Sequence, residues 1–204
     1  MKNENFEKVL PSAYSQVYYL NAKNVKVGII FNLMALVIMF AVIAIAVVLF
    51  IAIGKMPETI DFISMEISLL ATLVLMLVYL VLHELVHGAA YKIMTGEKLT
   101  FGVSWSCAYC GVPHIYTYRK TALVALVSPL IIFSVILIPI TCVALFVSPY
   151  IYFTLVLLLA SHLGGCIGDL YVTILLLTKY KDKRMLIRDT GPEQFFYLPS
   201  GKEN

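Results

Sequence analysis

The residues with the clearest chemical content are His83-Glu84-Leu85-Val86-His87. On a helix, positions four apart share a face, so both imidazoles can reach one metal ion. Glu84 is rotated by about 100° from His83, which suits a group that acts on water at a metal rather than on the metal itself. The plain alternative is a helix end at an interface, where His and Glu reach out to water. Glu84 stands eight residues before Lys92, about 12 Å along a helix. That is deep for a short carboxylate, so the metal reading is the stronger one. Two histidines still leave a zinc site short of a third protein ligand.

The elements that carry this motif are membrane spans. Of 204 residues, 61% are hydrophobic and 13% charged. Globular chains run near half apolar and a quarter charged, so an ordinary soluble domain is excluded, as are disorder, a coiled coil and a secreted disulfide scaffold. The net charge of +3 is small and unevenly placed, which points to membrane orientation and away from nucleic acid. Four apolar stretches are long enough to cross a bilayer: about 27–53, 67–94, 121–147 and 150–178. The expected fold class is all-α, a single integral membrane domain over residues 1–204 with four transmembrane helices. Ser148-Pro149 is the short turn between the last two. The first stretch reads as a retained helix, because it is much longer than a signal-peptide core and lacks a small-residue cleavage site.

Lysine and arginine set the expected topology. Of the 15 basic residues, only Lys55 falls in the loop between the first two spans, beside Glu58, Asp61 and Glu66. The positive-inside rule then puts both termini, the Lys92–Lys120 connection and the tail 179–204 in the cytoplasm of a multi-pass cell-membrane protein. Within that connection, Leu99, Phe101, Val103 and Trp105 alternate with Thr100, Gly102, Ser104 and Ser106. A small β-hairpin over about 99–118 is expected, turning at Tyr109-Cys110-Gly111 and returning through Ile115–Tyr118, with Trp105 at the interface.

With the topology fixed, the third ligand can be sought by depth. Asp169 is the one acidic residue in the last two spans, ten positions before Lys179, while His83 and His87 stand nine and five before Lys92. Spans two and four run in the same direction, so the three side chains share a depth to within about a turn. Gly164 and Gly168 allow close helix approach, as does Gly88 after His87. A buried structural partner is the bland reading for Asp169. His162, two turns from Asp169 on the same face, is the alternative ligand. It could instead hydrogen-bond a developing oxyanion or be a satisfied core histidine. His114 beside Pro113 reads as a surface residue. Cys107-x-x-Cys110 lacks the second pair of a zinc site, and Cys142 and Cys166 read as small apolar residues.

Taken together, the His-Glu-x-x-His helix, the cytoplasmic hairpin, Ser128-Pro129 in the third span and the final Gly168-Asp169 helix resemble the putative zincin peptidases, small bacterial membrane proteins. The resemblance runs from about Tyr79 to Leu177. More distantly the arrangement is similar to the site-2 proteases, although Asp169 here follows Ile167-Gly168 instead of standing in a Leu-Asp-Gly setting. The resemblance implies Zn2+ held by His83, His87 and Asp169, with Glu84 as general base. The expected function is a zinc-dependent, membrane-embedded metallopeptidase acting on a membrane or membrane-proximal peptide, with the lipid bilayer as its surroundings. The runner-up is a non-enzymatic divalent-metal-binding membrane protein of transport or immunity type, which would have no need of Glu84. The sequence sets neither the oligomeric state nor the substrate.

Overall fold

The computed structural model describes residues 5–54, 59, 61–104 and 108–200. Trp105 and Cys107, together with Lys55 and Glu58, lie outside the described residues. The helices are α1 (Val25–Ala52), α2 (Phe62–Thr95), α3 (Arg119–Val147), α4 (Pro149–Gly165) and α5 (Ile167–Thr178). The strands are β1 (Phe6–Glu7), β2 (Tyr14–Asn21), β3 (Thr100–Val103), β4 (Ala108–Gly111), β5 (Tyr116–Tyr118), β6 (Leu186–Asp189) and β7 (Glu193–Pro199). Helices α1, α2 and α3 are each long and apolar enough to cross a membrane, and α4 with α5 make a fourth if the bent pair counts as one span. Their apolar side chains stay largely uncovered by protein: Val37, Phe40, Val48, Ile63, Leu70, Val135 and Val143 are all more than 60% exposed. That is the surface a helix presents to lipid, where no water competes for the backbone bonds.

Two expectations need correcting. The last apolar stretch is not one helix. It breaks at Cys166, directly after Gly164-Gly165, a glycine pair being a standard cause of a kink. Nor is the fold all-α, because the polar tails are structured. With β5 from the connection between α2 and α3, they form a five-stranded antiparallel sheet in the order β1-β5-β6-β7-β2. The hairpin is also paired differently. β3 pairs with β4, Thr100 opposite Gly111 and Val103 opposite Ala108. Tyr109-Cys110-Gly111 therefore lies within a strand instead of turning the chain, and Tyr116–Tyr118 returns to the larger sheet, between β1 and β6.

The chain divides into two compact units. One comprises the chain up to Phe31, Leu82–Pro129 and the chain from Gly168 onward. It contains the whole sheet, whose inner face (Leu20, Ile187, Phe196 and Leu198) packs on Leu126, Val172 and Leu176 of the helices. Alternate residues of β6 and β7 face this core, which is why those short strands hold a register. A second cluster in the same unit gathers Phe6, Tyr91, Val112, Ile115 and Ala125.

The other unit, Asn32–Val81 with Leu130–Ile167, packs Ala46, Phe50, Ala144, Tyr152 and Val156 together. The Tyr152 hydroxyl donates to the Ala46 carbonyl at 2.9 Å, satisfying both groups where water is scarce. Gly164 faces α1: a Cβ built there would stand 2.8 Å from Met39 Cγ and 2.9 Å from the Ala35 carbonyl oxygen. Its small size therefore serves close approach to α1. Gly164→Ala is expected to cost about 1–3 kcal/mol through overpacking. Thermal unfolding in detergent, read beside a silent change at exposed Val143, would show a lowered midpoint for Gly164→Ala alone.

Candidate metal centre

Helix α2 puts His83 and His87 one turn apart on one face, and both imidazoles are buried, at 6% and 7% exposure. Asp169 is in the first turn of α5, immediately after the break at Cys166. The three donor atoms converge. Asp169 Oδ2 is 3.4 Å from His83 Nε2 and 3.3 Å from His87 Nε2, and the two Nε2 atoms are 3.2 Å apart. His87 Nδ1 lies 2.8 Å from the carbonyl oxygen of Ala125 on α3. A carbonyl only accepts, so Nδ1 carries the proton and Nε2 turns its lone pair toward the other two donors.

This donor set fits a zinc ion. Two nitrogens and a carboxylate oxygen gathered within 4.8 Å are groups that zinc binds. A tetrahedral ion with bonds of about 2.0 Å separates its ligand atoms by roughly 3.3 Å, close to each side of this triangle. The His87 bond to Ala125 is the kind of outer contact that fixes the tautomer and ring orientation of a metal-binding histidine. A lone pair and a carboxylate pressed together in an apolar surround also call for a shared cation or proton.

Glu84 is half-buried and stays out of the triangle; its carboxylate takes the backbone N–H of Cys110 on β4. The hairpin that carries Cys110 reaches α2 because Gly88 has no side chain. A Cβ there would stand 2.7 Å from Phe101 Cζ, the ring of β3 that covers it.

His162 belongs to the other unit and is fully buried. Its Nδ1 is 2.8 Å from the Tyr79 hydroxyl and its Nε2 is 3.0 Å from Ser134 Oγ, tying α2, α3 and α4 together. His114 is exposed, as its position beside Pro113 led one to expect. Cys110 is a buried free thiol, pushed up to about 12 by burial and then by the nearby carboxylates of Asp189 and Glu84.

Two residues escaped the sequence reading. Tyr91, one turn beyond His87, is 2% exposed and donates its hydroxyl to Asp189 Oδ2 at 2.8 Å. Asp189 is 4% exposed, and burial pushes its carboxyl up to about 6 against the lowering pull of the Gly191 N–H and the Tyr91 hydroxyl. The spacing of Tyr91 from His87 could have flagged the first. Nothing near Asp189 in sequence could have flagged its partner, which is 98 residues away.

A family model described as putative zincin peptidase matches residues 73–183. The chain belongs to this family. The matched stretch holds α2 from Leu73 onward with its His-Glu-x-x-His helix, the β3–β4 hairpin, and α3 through α5 with Asp169. The first helix and strands β1, β2, β6 and β7 fall outside it. No curated protein and no solved structure matches the chain.

Proposed function

We propose that this protein is a zinc-dependent, membrane-embedded metallopeptidase that cleaves a membrane or membrane-proximal peptide. The observation that carries the reading is the triangle of His83, His87 and Asp169, standing one helix position from an acid that is not part of it. His83, His87 and Asp169 are the ligands. A bound zinc would polarise a scissile carbonyl and lower the pKa of a water molecule toward 7. Glu84 takes the proton of the attacking water at its carboxylate and returns it to the leaving amine. The Cys110 N–H holds that carboxylate in one orientation while it works. The two hydroxyls on His162 support a role in joining helices in preference to the oxyanion role, since each of its ring nitrogens already has a partner.

A helical substrate hides its carbonyls in hydrogen bonds, so cleavage requires an extended segment. The outer edge of β3 offers one place for strand pairing that would extend it. The direct test is cleavage of a co-reconstituted single-span membrane protein by the purified chain. Activity should vanish with a zinc chelator and return with added zinc. Tight zinc binding with no cleavage of any membrane or soluble peptide would instead favour the metal-binding reading.

The termini, the connection between α2 and α3 and the C-terminal tail all lie on the cytoplasmic side. The one-sided distribution of basic residues supports this, and so does the gathering of β1, β5, β6, β7 and β2 into one sheet, which requires a common side. A cysteine placed at the exposed Ser200 should react with an impermeant maleimide only after the cells are opened. Labelling in intact cells would invert the topology.

A further inference from the structure

The turn of the C-terminal hairpin grips β4 on both sides of the residue whose N–H meets Glu84. Tyr109, Cys110 and Gly111 are consecutive on β4. At Gly111 the approach is so close that a Cβ would stand 2.4 Å from Gly191 N, 2.6 Å from the Thr190 carbonyl carbon and 3.0 Å from the Asp189 carbonyl oxygen. One residue further on, the Val112 N–H donates to that same Asp189 carbonyl at 2.8 Å. On the other side of Cys110, the Tyr109 ring lies against Gly191, where a Cβ would stand 2.2 Å from Tyr109 Cδ2. Gly191 has φ +99°, so its place in the turn favours glycine twice over, for conformation and for the ring. The turn is in turn fixed to the metal-binding helix, because the Asp189 side chain accepts both the Tyr91 hydroxyl and the Gly191 N–H, each at 2.8 Å.

We propose that the Asp189–Gly191 turn is a positioning element of the active site, holding β4 on α2 so that the Cys110 N–H stays on the Glu84 carboxylate. The inference rests on Glu84 being the base, and it makes the C-terminal tail, which lies beyond the family match, part of the working enzyme. The grip is made of backbone and of one carboxylate in a buried place. Asparagine would keep the acceptor for the Gly191 N–H. The Gln194 amide, which now donates from Nε2 to Asp189 Oδ2 at 3.3 Å and whose buried Oε1 has no hydrogen-bond partner among the described residues, would turn over to accept from the asparagine Nδ2. Alanine would cut the tie to Tyr91.

The test uses the full chain in detergent with Gly111→Ala, Asp189→Ala and Asp189→Asn. Zinc content is measured first, then alkylation of Cys110 by N-ethylmaleimide, read on its own peptide by mass spectrometry, then kcat and KM. In the wild type the buried Cys110 thiol should react slowly. Gly111→Ala and Asp189→Ala should keep their zinc and alkylate Cys110 about tenfold faster or more. Turnover per zinc-loaded molecule should fall on the order of tenfold to a hundredfold with KM little changed, as expected when a reacting group is misplaced by about 1 Å. Asp189→Asn should recover most of both losses. If Gly111→Ala loses zinc, Tyr91→Phe, which removes one hydroxyl, is read in its place. Unchanged Cys110 protection in these variants overturns the proposal whatever their activity, as does lost protection with full turnover. If the wild type itself cleaves nothing, lost protection with zinc retained still supports the grip, and the failure belongs to the peptidase reading.

Discussion

Glu84→Gln is expected to keep zinc at the wild-type level and to lower peptide cleavage by about two to four orders of magnitude. Glutamine has the shape of glutamate, and its side-chain oxygen can still accept the Cys110 N–H, so the site should keep its form. What it lacks is a basic oxygen for the water's proton. Because Glu84 lies outside the triangle of donor atoms, no ligand is lost. The measurement is zinc content beside kcat on the same preparation. Cleavage at the wild-type rate would remove Glu84 from the mechanism and favour a metal-binding protein without peptidase activity.

Asp169→Asn should do something different in kind. A neutral amide is a poor zinc ligand, so metal and activity should fall together. The loss of affinity should exceed the roughly 10–100-fold that changes outside the ligand set produce. His83→Ala and His87→Ala should strip zinc as well, since each leaves two protein ligands where three are needed. Asp169 sits in the apolar α4–α5 stretch, and if that stretch crosses the bilayer a bare charge there costs roughly 2.5–3.5 kcal/mol on insertion scales. Removing that charge could therefore raise the thermal stability of the metal-free chain even as it abolishes zinc binding. Titration of metal-free protein with zinc, beside thermal unfolding, reads both effects. If Asp169→Asn binds zinc at full strength while His162→Ala does not, the third ligand is His162.

The site was more legible in the sequence than the scaffold around it. His83, Glu84 and His87 share one turn of one helix, so spacing alone states their relation. Asp169 is 82 residues from His87, yet a span between basic flanks fixes depth nearly as well as a helix fixes phase, and the two side chains do meet. The break at Cys166 had a local sign in Gly164-Gly165, which reads equally well as a packing face. The five-stranded sheet had almost none. β1 is two residues long and β5 three, and they pair across more than a hundred positions. β2 finds β7 from the opposite end of the chain. Strands this short carry too little alternation to stand out from polar tails, and only the helices they pack on select their register. The Tyr91–Asp189 bond was hidden for the same reason, since it exists only once that sheet is closed.

The central claim, that two imidazoles and one carboxylate hold a zinc ion, is tested most directly by X-ray absorption at the zinc edge of the purified protein. The expected nearest neighbours of the zinc are nitrogen and oxygen alone, at about 2.0 Å, with outer scattering from two imidazole rings. A zinc–sulfur distance of about 2.3 Å would contradict it by placing cysteine at the metal, and scattering from three imidazoles would displace Asp169 from the set.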